Sequence, residues 1–275
     1  MDLVSGLNGV LRDANNLVLS GRDSLQFVRV KTSLVVISVA LANMIHSDAS
    51  GASTTLQRSR QCIVVITDSW ISNHGLLAWF ERDDHFEWHQ RGGPIPTVVG
   101  RAGLAWGRRE LNVTNLPGPV KREGDDKAPA GIFRLGTAFG YSAKPIPTRM
   151  PYLALSKQIV AVDDPGSRYY NRLVDITKIK HPDWKSAENM ILADQRYKWG
   201  VVVRHNEPPK PGAGSCIFLH VWLRGDTSTS GCTAMAEQYL RRLIGWLDPA
   251  KAPLLVQLPR PIYNEVRLSW GLPGS

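Results

Sequence analysis

The sequence predicts a mainly β fold with a few helices, of the α+β class, and three observations support this prediction. Short β-branched runs separated by Gly and Pro turns recur from residue 62 onward. Helical periodicity is clear in one stretch, Ala234–Leu247, near the end of the chain. No repeat and no linker interrupts residues 60–258, and 43% of the chain is hydrophobic. We therefore expect a single domain.

Seven runs are predicted as strands, because each is apolar or β-branched and is bounded by turn residues or polar residues. In chain order they are Cys62–Thr67, Leu76–Phe80, Thr97–Val99, Ile132–Leu135, Ile159–Val162, Gly200–Arg204 and Cys216–Trp222. The predicted helix has one apolar face and ends at Asp248-Pro249. That face comprises Ala236, Leu240, Leu243 and Leu247. A shorter helical pattern covers Lys185–Leu192.

Residues 1–52 are predicted to be a leader with a signal-type apolar segment at about 32–46. Arg29 and Lys31 precede the apolar run Leu34–Ile45, and small residues follow it, as in a secretory signal. The run is shorter than the roughly 20 residues that span a bilayer. It begins late for a signal peptide, which either a downstream translation start or a long leader explains. The alternative is a buried element of a small N-terminal domain. Residues 259–275 are predicted to be a C-terminal extension.

The charge of the chain favours anionic partners. Lys and Arg outnumber Asp and Glu by 33 to 24, a formal net charge of +9. The basic residues are dispersed, without a block of five or more like charges, so we expect no nucleic-acid partner. Three cysteines are too few for a disulfide scaffold.

A cysteine and a histidine near the end of the chain suggest nucleophilic catalysis. In the strand Cys216–Trp222, His220 shares one face with Phe218 and Trp222. A polar loop then leads to Gly231 and Cys232, directly before the predicted helix. A helix N-terminus and a nearby imidazole would both favour the thiolate. The backbone N–H groups around Gly231 could bind an oxyanion. Cys232 is the candidate nucleophile, His220 its base, and the alternative is an inert buried thiol beside a structural histidine.

Zinc binding and disulfide formation are the other roles open to these cysteines and histidines. A zinc site is not expected, because Cys62, Cys216 and Cys232 lie far apart in sequence. His85 and His89 are four residues apart, but we expect them in an exposed, charged hairpin. Cys62 and Cys216 could form a disulfide in an oxidising compartment, and two buried free thiols are the alternative.

These residues and several other segments resemble the YkuD-type L,D-transpeptidase family. The nucleophile segment resembles the family's motif of a His, a spacer and then Ser/Thr-His-Gly-Cys. Here Ser230 stands where typical members have the second His, and the spacer is short. The segment 121–133 resembles the family's Lys-x-x-Gly-Asp and Thr-Pro-x-Gly-x-Phe motifs. The resemblance extends over residues 62–258, and the segments that carry it are 121–125, 128–133, 163–171, 199–206, 214–220 and 229–235.

The resemblance implies a mixed β-sandwich and a bacterial enzyme of the periplasm or cell envelope that acts on peptidoglycan stem peptides. Cys232 would attack the carbonyl between an L-centre and a terminal D-residue, and His220 would act as base and then as acid. Backbone N–H groups near Gly231 would hold the oxyanion. The thioester would pass to an amine of a second stem peptide. The substrate-binding residues would be Thr229, Ser230, Thr233, Tyr170 and Asn171.

The resemblance implies neither a metal nor an organic cofactor, and it leaves two alternatives open. In the first, the same Cys–His pair hydrolyses peptidoglycan, as an L,D-carboxypeptidase or an amidase. In the second, the chain is a non-catalytic wall-binding module. Anionic envelope polymers are a further partner that the charge of +9 suggests.

Overall fold

The computed structural model describes residues 56–108 and 116–274. The predicted leader, including the apolar segment near residues 32–46, lies outside the described residues. Within the described part of the chain, no helix combines the length and the apolar character that crossing a membrane requires.

Strands dominate the described residues, which confirms the predicted fold class. The strands are β1 (Gln61–Thr67), β2 (His74–Arg82), β3 (Trp88–Val98), β4 (Leu104–Trp106), β5 (Ala128–Gly140), β6 (Tyr152–Ala154), β7 (Ile159–Val162), β8 (Arg172–Asp175), β9 (Glu188–Asn189), β10 (Trp199–Val203), β11 (Phe218–Val221), β12 (Thr233–Met235) and β13 (Leu254–Pro259). The helices are α1 (Glu237–Trp246) and α2 (Arg260–Val266), and two short 3₁₀ turns span Ile176–Lys178 and Pro249–Lys251.

Ten strands form one mixed sheet in the order β10-β11-β12-β3-β2-β1-β13-β5-β4, with β6 beside β5. The long strand β5 pairs with β13 through residues 131–134 and with β10 through residues 135–140. Strand β5 thus pairs both with β10, at one end of the strand order, and with β13, near the other end. The sheet therefore folds over and closes around its core. A second, three-stranded sheet has the order β8-β7-β9.

The centre of the large sheet is apolar on both faces. All seven residues of β1, QCIVVIT, are buried between antiparallel β2 and parallel β13. A strand covered on both sides reads as a continuous β-branched run rather than an alternating one. Helix α2 also contributes Ile262, Tyr263 and Val266 to the same core. Residues 259–274 of the segment predicted as an extension are therefore packed onto the domain.

The predicted strands are present, but both predicted helices need correction. Residues 185–192 contain only the two-residue strand β9 amid turns. Helix α1 begins at Glu237, because Thr233–Met235 forms β12, parallel to β11. Thr97 Oγ1 donates to the Ala234 carbonyl at 2.7 Å and helps to fix this strand. Pairing with distant strands thus overrides the local helical periodicity.

Strand β11 separates two apolar clusters in the alternating manner that the sequence predicts. Leu219 points into the main core, whereas Phe218 belongs to a smaller cluster with Phe139 and Tyr197. The Phe218 ring meets Phe139 edge-on at 5.2 Å and Tyr197 at 5.7 Å. Tyr197 also meets His220 edge-on at 5.3 Å, so the aromatic cluster supports the histidine directly.

Candidate active site

The structure brings Cys232 and His220 to one cavity of about 190 Å³. His220 lies on β11, and Cys232 is the residue immediately before β12. The parallel register pairs Leu219 with Thr233, so Cys232 lies level with Phe218, two residues from His220 along β11. No hydrogen bond between the two side chains is present among the described contacts.

The Cys232 thiol is buried, with 8% of the residue exposed. The Phe218 N–H donates to Sγ at 3.3 Å, and the thiol points to the Cys216 carbonyl at 3.6 Å. Burial raises the pKa of Cys232 to about 12. The thiolate predicted from a helix N-terminus is therefore wrong for the resting protein. Helix α1 begins only at Glu237, too far along the chain for its dipole to act on the sulfur.

The hydrogen bond of His220 determines which of its nitrogens is the base. Nδ1 lies 2.8 Å from the Val221 carbonyl oxygen. Since a carbonyl only accepts, Nδ1 carries the ring proton and Nε2 has the free lone pair. Burial lowers the pKa of His220 to about 4. The imidazole is therefore neutral near pH 7, with the Nε2 lone pair unprotonated.

The loop that presents Cys232 is fastened by Thr229. Its hydroxyl donates to the Cys232 carbonyl at 2.6 Å and accepts from the Gly231 N–H at 3.1 Å. Gly231 has φ of 155°, a conformation that favours glycine, and a Cβ there would lie 3.2 Å from the Lys127 carbonyl oxygen. The resting loop thus already uses the N–H group predicted to bind the oxyanion. None of the described loop hydrogen bonds uses the Cys232 N–H. The Cys232 N–H is therefore a better candidate than the Gly231 N–H for binding the oxyanion.

Residues 63–256 match the family model of YkuD, the L,D-transpeptidase catalytic domain. This chain belongs to the YkuD family. Comparison with curated proteins and with solved structures finds no match. The family assignment confirms the resemblance seen in the motifs, and it connects the domain with L,D-transpeptidases that act on peptidoglycan peptides.

Of the five predicted substrate-binding residues, two line the cavity and three do not. Thr229 and Ser230 line the cavity. Thr233 does not, because it is buried and donates to Gln257 Oε1 at 2.7 Å. Tyr170 is buried behind the wall, and Asn171 bonds three backbone groups with its amide. The side chains of Thr233, Tyr170 and Asn171 form hydrogen bonds with other residues of the domain. Their contribution is therefore to position the wall of the cavity.

Several wall residues of the cavity were not predicted from the sequence. They include Ser215, Glu188, Arg196 and Tyr197. Burial raises the pKa of Glu188, whose Oε1 accepts from the Tyr197 hydroxyl at 2.9 Å. Ser215 lies within the motif segment 214–220 that resembles the family, which is the sequence signal for its place in the wall. Glu188 had no such signal, since it lies in the stretch assigned to a helix.

The three cysteines are free thiols in this structure. Cys62 is fully buried in β1 within the main core, whereas Cys216 packs against the smaller cluster that contains Cys232. Of the two alternatives for Cys62 and Cys216, the structure contradicts the disulfide and agrees with free thiols, because the two side chains belong to different cores. Cys216 instead lines the active-site cavity beside the candidate nucleophile.

The predicted hairpin of His85 and His89 is formed by β2 and β3, and it carries a group of potential metal ligands. Donor atoms of Asp83, Glu87 and His89 lie within 4.8 Å of one another. Asp83 already accepts from His89 Nε2 at 2.8 Å and from the backbone N–H groups of His85 and Glu87. These hydrogen bonds stabilise the turn between β2 and β3, and they explain why the three side chains lie close together. That the protein uses no metal stays a prediction.

Proposed function

We propose that this YkuD domain is a cysteine-dependent L,D-transpeptidase that acts on peptidoglycan stem peptides and so cross-links or remodels the cell wall. One observation carries the proposal. Cys232 and His220 line a single cavity, and the bond from Nδ1 to Val221 leaves the Nε2 lone pair for the thiol proton. A nucleophile and an oriented base are the two groups that a thioester mechanism needs.

The proposed reaction begins from a neutral thiol and a neutral imidazole. As sulfur attacks the carbonyl of the donor peptide, the thiol proton passes to Nε2 of His220. The Cys232 N–H would stabilise the oxyanion, and the imidazolium then protonates the departing amine. A second amine attacks the thioester, its proton returns through His220 to sulfur, and the thiol is restored. The Val221 carbonyl keeps the ring oriented throughout.

The proposal is tested with Cys232→Ala and with Cys216→Ala as a matched control from the same cavity. We expect Cys232→Ala to lose turnover of tetrapeptide stems and to lose the covalent adduct with a carbapenem, both measured by mass spectrometry. Cys216→Ala should retain both. His220→Ala should lose most activity, with an additional loss of stability because His220 is buried. Turnover or adduct formation by Cys232→Ala would contradict the thioester mechanism.

The same experiment separates the alternatives. Wild-type protein that releases product without cross-linked dimers, even with excess amine, would be a hydrolase. Wild-type protein that shows neither an adduct nor product would be a non-catalytic wall-binding module.

We also propose that the domain works in the periplasm or cell envelope. The signal-type pattern of the leader and the net charge of +9 support this location, and the charge would favour contact with anionic envelope polymers. Intact mass of the protein purified from its native host tests the location. Mature protein that still carries residues 1–45 would contradict cleavage of a signal.

A further inference from the structure

Two arginines lie side by side where β5 changes its pairing partner. Arg134 of β5 pairs with Leu254 of β13. The next residue, Leu135, pairs with Val203 of β10. The Arg134 carbonyl also accepts from the Arg204 N–H at 2.9 Å. The backbone of the sheet therefore holds Arg134 and Arg204 beside each other.

Two neighbouring cavities share these two arginines in their walls. One has a volume of about 550 Å³ and is also lined by Arg58. The other has a volume of about 290 Å³ and is also lined by Arg108. We call the combined cavity the arginine groove, after Arg58, Arg108, Arg134 and Arg204. It shares no lining residue with the catalytic cavity, so it is a separate site.

The lining of the arginine groove carries an excess of positive charge. Glu207 is the one acidic residue among its described lining residues. It lies 3.6 Å from Arg204, and both side chains are about half exposed. Arg58 and Arg108 are exposed, and neither forms an ion pair within the described part of the chain. The groove is therefore able to attract an anion.

The rest of the lining favours anion binding in two ways. The walls between the arginines are apolar and include Leu135, Leu254, Pro249 and Pro253. A cleft with charges of one sign and low-dielectric walls focuses the electrostatic potential. The basic residues of the described lining are all arginines, whose planar guanidinium groups bind phosphate with two parallel hydrogen bonds.

The shortage of accessible aromatic rings indicates which phosphate-bearing partner fits. Proteins that hold single-stranded nucleic acids in a groove stack the bases on aromatic side chains. Phe133 is the one aromatic residue of the described lining, and it is 2% exposed with its ring edge-on to His205. The groove therefore offers phosphate contacts but no stacking surface for bases.

We propose that the arginine groove binds a linear polymer that carries phosphate groups and no bases. This inference goes beyond the proposed function, because the binding needs neither Cys232 nor His220. The bound polymer would hold the domain at a polyanionic surface and leave the catalytic cavity open. The net charge of +9 would then act through a defined site rather than through the surface as a whole.

The test measures binding of fluorescently labelled linear polyphosphate by anisotropy, at about 50 and 200 mM salt. The groove variant combines Arg58→Gln with Arg108→Gln and so removes one charge from each cavity. The matched control combines Arg91→Gln with Arg172→Gln, which removes two charges from exposed positions of β3 and β8 outside the groove. Thermal unfolding of both variants verifies that they fold as the wild type does.

We expect the groove variant to bind polyphosphate at least about tenfold more weakly than the wild type, because two charge-assisted hydrogen bonds are lost. The slope of log Kd against log salt should fall by about 1 to 2. The control variant should bind within about twofold of the wild type. Turnover of stem peptides should be the same in both variants, and Cys232→Ala should bind polyphosphate normally.

Equal weakening in the groove variant and the control would overturn the inference, since total charge rather than the groove would then govern binding. Wild-type protein that does not bind polyphosphate would also overturn it. Tighter binding of oligo(dT) or of polyglutamate with a matched number of charges would overturn the choice of partner, in favour of a nucleic acid or a carboxylate polymer respectively. Normal polyphosphate binding without any turnover would refute the proposed function and leave this inference standing.

Discussion

Replacing Gly200 by alanine should destabilise the domain, because a Cβ at this position has no room. Gly200 lies on β10 opposite His220 of β11. A Cβ would lie 2.2 Å from Cζ and 2.4 Å from Cε2 of Phe139. The Phe139 ring is fully buried and is held edge-on by Tyr197 at 6.1 Å and by Phe218 at 5.2 Å. It can move only by displacing the aromatic cluster that supports His220.

The expected cost is that of overpacking a well-filled core, about 1–3 kcal/mol. In a domain of this size, each kcal/mol lowers the midpoint of thermal unfolding by roughly 2–4 °C. A matched control is Gly136→Ala on β5, where the nearest atoms, Arg204 Nε and Val202 Cβ, would lie at 3.4 Å. That distance is ordinary van der Waals contact. Alanine there should be neutral or stabilise by about 0.4–1 kcal/mol, because the unfolded chain loses conformational freedom.

The assay is urea unfolding followed by tryptophan fluorescence, with both variants and the wild type in one buffer. The two substitutions add the same methyl group, so the structure predicts free energies of unfolding that change in opposite directions or differ by at least about 1 kcal/mol. Equal midpoints for the two variants would refute the argument that Phe139 is fixed.

Two further predictions concern protonation. Because burial raises the pKa of the Cys232 thiol to about 12, its alkylation by iodoacetamide should increase about tenfold per pH unit up to pH 10; a plateau with a midpoint below about 8.5 would restore the thiolate prediction. Burial also lowers the pKa of His205 and of His220 from 6.5 to about 4. The unfolded state therefore binds protons first, and the free energy of unfolding should fall between pH 6.5 and 4, by about 3 kcal/mol per histidine. Urea midpoints that stay constant over this range would contradict the burial of both rings.

The sequence predicts those elements whose pattern is decided locally. Strand β7 has the bounds Ile159–Val162 that its β-branched run and the following turn indicate. Strand β1 differs by one residue, since its burial on both faces produces a continuous apolar run. Local pattern fails at Ala234 and Met235, which continue the helical period of α1 but belong to β12. Parallel pairing with β11 and contact with Thr97 decide the conformation there, and neither is visible in a local window.

In the candidate site, too, local sequence decides some properties and distant contacts decide others. The identities of Cys232 and His220 follow from a short motif, so the sequence is sufficient to place them. Their protonation is a property of burial, which depends on Phe139 and Tyr197 from distant strands and loops. The wall residue Glu188 reaches the cavity only because β9 pairs with β7. Spacing along the chain gives no information about such contacts.

The parallel pairing of β1 with β13 has a consequence for how the protein is made. β1 is among the first described elements to leave the ribosome, and β13 is among the last, yet Cys62 and Leu254 are direct neighbours in the sheet. Until β13 emerges, the inner edge of β1 lacks its partner and the sheet cannot close through β5. Folding of the whole domain therefore waits until β13, Leu254–Pro259, has been synthesised, and pairings so distant in sequence form slowly. A nascent chain that stops before residue 254 leaves the β13-facing edge of β1 unpaired, and such an exposed strand edge is a target for chaperones and proteases.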